Sequence, residues 1–223
     1  MKGIMLLFCT MLFFFSCSAI PKLEPLNSEA LTGVVNECRT IFPINGWQFV
    51  HSIEATIQGR QKAFLIGITD ISPDLGRVRC VIMTIEGLVL FDALSDPETV
   101  IKRGISPFDS MAFAKGLMND IRLIFFSPDG ECLKTGMLGK SSYVCRYGND
   151  VNTIVDLIVN PDRTWEIRQY KNGDPARSVK AYIKKDAHNE NQYVVPDRLE
   201  LTAHGVHAYA LVLRLIRAER VTR

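Results

Sequence analysis

The chain has 223 residues with a formal net charge of +2, and 22% of its residues are charged. That is enough chain for one sizeable core, and its cations are too few and too evenly offset to displace counterions from nucleic acid. With 47% apolar residues it does not have the composition of a disordered chain.

The chain opens with one cation, Lys2, and an almost unbroken apolar run from Ile4 to Phe15. A spanning helix needs about 20 such residues. A charged start, a short apolar middle and small residues beyond it form a secretory signal. Two cleavages are open. Ser16-Cys17 resembles the end of a bacterial lipoprotein signal, after which Cys17 is acylated and becomes the new N-terminus. The alternative is ordinary cleavage after Ala19, with Cys17-Ser18-Ala19 as the small-x-small site. In the first reading, Ser18 resembles the signal that releases lipoproteins to the outer membrane of Gram-negative bacteria. The expected layout is a signal peptide over 1–16, a tether over 17–27 and a single domain over 28–223. The expected location is the periplasmic face of the outer membrane, held there by the lipid, since two or three acyl chains anchor stably where one does not.

Asn27 or Ser28 opens a helix to about Ile41, with Ala30, Leu31, Val34, Val35 and Cys38 on one stripe. From Trp47 the period changes to two. "WQFVHSIEATIQ", "KAFLIGITDI", "RVRCVIMTI" and "LVLFDAL" read as four strands joined by short turns, an antiparallel meander. A second helix follows, with Ser106 as its cap, Pro107 at the first helical position and Asp109 closing a capping box. Its apolar face holds Met111, Ala114, Leu117, Met118, Ile121 and Phe125. Seven further strands are expected at 131–138, 142–147, 153–159, 164–170, 177–184, 192–201 and 207–216. The fold class is therefore α+β and mainly antiparallel, about 11 strands with two main helices.

A sheet of that many strands must close or be covered. The expected form is an open curved half-barrel whose concave side is covered by the two helices, with room for apolar chains; a fully packed core is the alternative. Alternation places Phe64, Ile66 and Ile68 on that side, with Trp165 and Ile167 and with Tyr209, Leu211, Leu213 and Leu215. Cys132 and Cys145 flank the turn at Leu138-Gly139 and so face each other across a hairpin, as a disulfide or as buried thiols.

Catalytic and cofactor motifs are missing from the sequence. Gly139-Lys140-Ser141 resembles the end of a phosphate loop, but it lies between strands and Lys134 stands where the first glycine belongs. His204 and His207 flank Gly205 in a turn with no third ligand in register, so metal is not expected. Arg214, Arg217, Arg220 and Arg223 recur at the C-terminus and read as a solvated tail, with lipid head groups as the alternative. A nucleophile–base set is not visible, which makes an enzyme the weaker reading.

The order of signal, helix, four-strand meander, helix and long strand run resembles the bacterial lipoprotein-carrier superfamily of LolA and LolB, and most of all outer-membrane lipoproteins related to LolB. Three stretches carry the likeness: "VIMTIEGLVLFDAL" (81–94), "MNDIRLIFFSPDG" (118–130) and "VPDRLELTAHGVHAYALVLRL" (195–215). The resemblance implies a non-enzymatic half-barrel that binds the acyl chains of lipids or lipoproteins, with an acylated lipid or lipoprotein and a periplasmic carrier protein as partners. It also implies a transfer turn at Ile85, Glu86 and Leu88. Where the family's receptor protrudes a leucine, this sequence has Glu86, and a charge does not enter a bilayer as leucine does. The reading from another class is an assembly accessory whose sheet edge or helix face binds a protein.

Overall fold

A computed structural model of the chain describes residues 20–57, 59, 61–139, 141–150, 152–162, 164–184 and 193–221. The expected signal sequence and Cys17 lie outside the described residues. Helix α1 (Ser28–Thr40) precedes five strands: β1 (Trp47–Ile57), β2 (Gln61–Ser72), β3 (Arg77–Met83), β4 (Val89–Asp96) and β5 (Glu98–Gly104). Helix α2 (Met111–Phe125) leads to seven more. These are β6 (Cys132–Leu138), β7 (Ser142–Asp150), β8 (Thr153–Val159), β9 (Trp165–Lys171), β10 (Asp174–Tyr182), β11 (Arg198–Ala203) and β12 (Tyr209–Arg220).

All twelve strands join one sheet, in the order β5-β4-β3-β2-β1-β12-β11-β10-β9-β8-β7-β6. Within β1–β5 and within β6–β12 each strand pairs antiparallel with its chain neighbour, and β12 closes back onto β1. The chain therefore walks out to one edge, crosses through α2, and walks back from the other edge. Strands β5 and β6 do not pair, so the curved sheet stays open. Both helices lie on one side, α1 chiefly over β6, β7 and β8 and α2 over β3 and β5. The architecture is the expected one, an open antiparallel half-barrel with two helices.

It has one strand more than the sequence reading. The extra strand is β5, "ETVIKRG", an edge strand whose exposed Lys102 and Arg103 blunt an unpaired border and hide the alternation. The start of α2 is also corrected. Residues 105–108 form a separate turn, closed by Phe108 N–H donating to the Ile105 carbonyl at 2.8 Å, and the cap is Ser110. Its hydroxyl accepts from Phe113 N–H at 3.2 Å, the role Ser106 was assigned. Arg214, Arg217 and Arg220 do not form a tail, because β12 runs to Arg220, and Arg223 lies outside the described residues.

Two further expectations fail for reasons of register. Cys132 and Cys145 do not face each other: Cys145 is opposite Thr135, and a bulge sets Cys132 against Tyr147. Cys145 is instead bonded to Cys38 of α1, across 107 residues of sequence. Residues 20–27 are not a free tether either. Glu24 and Met137 exchange two backbone hydrogen bonds, at 3.0 and 2.9 Å, along the β6 edge. Leu23 is buried against Val144, Ile158 and Leu138.

Candidate functional site

Cross-strand partners share a face, so the register fixes which residues look inward. One row runs Cys145, Leu157, Ile167, Val179, Leu201, Leu211, Ala55 and Ala63 from β7 to β2. The next runs Tyr143, Val159, Trp165, Ala181, Leu199, Leu213, Ile53 and Leu65. Trp165, Ile167, Tyr209, Leu211, Leu213 and Leu215 thus all belong to the concave side. Phe64, Ile66 and Ile68 do not. They pair with Glu54, Ser52 and Val50 on the outer face, and Phe64 is 59% exposed. The inward set of β2 is Ala63, Leu65, Gly67, Thr69 and Ile71. Small Gly67 leaves room for Ile53, whose Cδ1 would lie 2.6 Å from an added Cβ. The bulkier alternating set of β2 is the outer one, which is why alternation chose wrongly there.

The concave residues divide into two environments. Ile167, Val179 and Leu201 have no exposure, Leu199 and Leu157 have 1% and Trp165 has 2%, so the β8–β11 part of the wall is packed solid. The rows loosen at β12, where Tyr209, Leu211 and Leu215 are half-buried. At the Tyr209 end of β12 is a cleft of about 500 Å³ between the C-terminal half of α2 with the following loop and the inner side of β7–β10. Leu123, Phe126, Tyr147 and Val155 give it apolar walls, and Asp120, Gln169, Lys171 and Arg177 give it a polar side.

The cleft contains a polar cluster that the sequence reading missed. Arg177 Nε donates to Asp120 Oδ1 at 2.9 Å, the Tyr209 hydroxyl donates to Asp120 Oδ2, and the guanidinium lies 5.5 Å above the Tyr209 ring. Burial raises the Asp120 carboxyl above its ordinary range, against the lowering effect of these two donors. Burial, reinforced by Asp120, raises the Tyr209 phenol as well. Tyr209 therefore anchors the end of α2 to β12 through its polar tip while its ring stays in the apolar row. In the sequence, Asp120 sits one position off the α2 stripe and reads as an ordinary boundary residue.

A second buried polar group lies on the inner side of β1. His51 is 3% exposed, with its ring 6.5 Å from that of Phe125 and 6.0 Å from that of Phe49. Burial lowers its pKa to about 4. The unfolded chain takes up this proton near 6.5, so between those values it binds more protons than the fold does. The His51 contribution should be complete above pH 6.5 and drain away as pH falls toward 4, about 3 kcal/mol in all. Urea unfolding of wild type and His51→Leu across this range checks it. The wild-type midpoint should fall with acid more steeply than that of the variant.

The turn between β3 and β4 is closed by Gly87 N–H donating to the Thr84 carbonyl at 3.0 Å, with Gly87 at φ 91°. It presents Ile85 at 68% exposure and Leu88 at 52%, with Glu86 between them. The Thr84 hydroxyl holds the Glu86 carboxyl below its ordinary range. Among the described residues, no group of three histidine, cysteine or acidic side chains is placed to hold a metal, and no helix is long and apolar enough to cross a membrane.

No protein-family model matches the sequence, and no curated protein matches it either. Solved structures do. The chain is similar to a LolA superfamily protein from Nitrosomonas europaea, with a TM-score of 0.55 and 13% identity over 87% of this chain and 94% of that one. Weaker likenesses join it to a DUF1329 family protein from Desulfovibrio piger (TM-score 0.47, 10% identity, 86% and 92% covered). Another is to a domain described as an outer membrane lipoprotein-sorting protein from Vibrio parahaemolyticus (0.45, 11%, 88% and 94%). At such identities the first match establishes the fold. This chain has the half-barrel fold of a LolA superfamily protein.

Proposed function

We propose that this chain is an outer-membrane lipoprotein, tethered through Cys17, that takes acyl chains of lipids or lipoproteins into its half-barrel and passes or holds them without covalent chemistry. The observation that supports it most is the loosening of the concave wall. The row that is solid at Ile167 and Leu201 becomes half-buried at Leu211, and a cleft of about 500 Å³ opens at the Tyr209 end of the same strand. The cleft has Leu123, Phe126 and Val155 on one side and a polar side of at least equal extent around Asp120, Lys171 and Arg177, which suits an amphipathic ligand with an apolar chain and a polar head. The exposed Ile85 and Leu88 of the β3–β4 turn, with Glu86 between them, are the residues we assign to handing over cargo. The kinship with LolB-related lipoproteins is part of the same proposal.

Binding of a fluorescent fatty acid tests this reading. Leu211→Trp should leave the urea midpoint close to wild type and abolish probe binding. Ile167→Ala should cost about 2–5 kcal/mol through lost burial and a void. A Leu211→Trp protein that unfolds, with wild type that never takes the probe, sinks the proposal. The unpaired β5 edge, with Val100 55% exposed, favours a second reading in which a protein partner adds a strand there. Native mass spectrometry separates the two, through copurified lipid or a stoichiometric protein.

A further inference from the structure

Residues 20–24 are built into the outer wall of the sheet. Beyond the Glu24–Met137 pairing, Arg146 Nη2 donates to the Pro21 carbonyl at 2.9 Å, from the outer side of β7. Leu23 is 7% exposed and covers Val144 and Ile158, two apolar residues that face away from the concave core. Gly136 makes the close approach possible, because a Cβ there would lie 2.6 Å from the Glu24 carbonyl oxygen and 2.7 Å from Leu23 Cβ. The segment is a strap held by an edge pairing, an apolar plug and a charged donor.

We propose that this strap orients the domain on the bilayer, with the outer wall of β6–β8 as its membrane-proximal side. The proposal rests on the anchoring of Cys17 argued above. From Cys17 to Pro21 the chain spans at most about 14 Å, at about 3.3–3.6 Å per residue. With residues 17–27 free, the reach is about 36–40 Å, and the domain turns in any direction. The strap therefore converts a lipid anchor into a short leash that leaves from one point of one wall. The convex face of β2 lies eight strands away in the sheet order, about 38 Å along the surface. It is held away from the same membrane.

The test uses the full lipidated chain in vesicles of phosphatidylethanolamine and phosphatidylglycerol containing a headgroup spin-labelled lipid. In a Cys132→Ser background, bimane is attached at Lys134→Cys, on the outer side of β6, or at Phe64→Cys, on the outer side of β2. Quenching should be severalfold stronger at 134 than at 64. Gly136→Val lifts the strap and should bring the two positions to equal quenching. Leu23→Ser removes the plug from the surface rather than the core, and should do the same in a protein whose unfolding midpoint is close to wild type. Equal quenching in the wild type, or a ratio unchanged in both variants, overturns the orientation while leaving the anchor intact. A wild-type chain that does not float with the vesicles removes the anchor and the orientation together. In that event amide exchange at Glu24 and Met137, slow in wild type and fast in Gly136→Val, still reports the strap by itself.

Discussion

Cys38→Ala, or reduction of the wild type, should lower the unfolding free energy by about 2–5 kcal/mol. The bond joins residues 107 apart, and a crosslink that closes a long loop removes many conformations from the unfolded chain. Its native surroundings support a value in the upper half of that range. Cys38 and Cys145 have no exposure, and the bond links α1 to β7, one of the strands on which that helix packs. Without it α1 keeps a short apolar stripe centred on Val34 as its hold on the concave side, and a helix of 13 residues has little stability of its own. Urea unfolding with and without reductant gives the result directly. Wild type should lose its advantage under reductant, Cys38→Ala should be insensitive to it, and Cys132→Ser should behave as wild type. Coincident wild-type curves in both conditions would show that the bond adds nothing. The consequence for ligand binding runs the same way, since a loosened α1 exposes the wall around Cys145 and Leu157 and should weaken discrimination among apolar probes.

That bond also shows where the sequence stopped being informative. The hairpin of β6 and β7 is legible as two strands with a turn, but a turn centred on Leu138-Gly139 lies one and a half residues before the centre of the observed register. In a sheet, a shift of that size changes every partner. Cys38 carried no distinguishing mark, because a helix stripe of Val34, Val35 and Cys38 looks equally natural with a buried thiol. Strand content, antiparallel order and the two helices were legible because Val, Ile and Phe alternation and Gly or Pro turns are local signals. Facing is not local. On β12 the alternating leucines have charged neighbours such as Arg214, so the inward set was plain. On β2 Phe64, Ile66 and Ile68 alternate with Leu65, Gly67 and Thr69, and only the pairing with Phe49 and Ile53 of β1 decides between them. The cleft was the least legible part. Asp120, Gln169 and Arg177 come from α2, β9 and β10 and meet only in the folded chain.

Arg146→Met should destabilise the fold by about 3–5 kcal/mol, with Asp156→Ala costing less and the double variant Arg146→Met/Asp156→Leu recovering most of the loss. The pair lies on the outer wall, where Arg146 Nε and Nη2 approach Asp156 Oδ1 and Oδ2 at 2.6 and 2.8 Å. Its asymmetry sets the order of effects. The Asp156 side chain has no exposure, whereas that of Arg146 keeps 14%. Removing the arginine leaves a carboxylate with its two strongest donors gone and no route to water. Removing the aspartate leaves a guanidinium that still reaches solvent and the Pro21 carbonyl. Removing both substitutes apolar contact for a paired charge, an exchange that is often neutral in other proteins. Equilibrium unfolding of the four proteins, with Asp156→Leu added to complete the cycle, should give a strongly favourable coupling between the two positions. Equal losses in all three variants would mean that the wall depends on the packing of these side chains and not on their charge. The same arginine holds the strap, so the Arg146→Met chain should also lose exchange protection around Glu24 while Asp156→Ala retains it. A buried ion pair of this kind adds little net stability by itself. Its value here is positional, since it fixes the donor that receives the N-terminal segment on this wall and on no other.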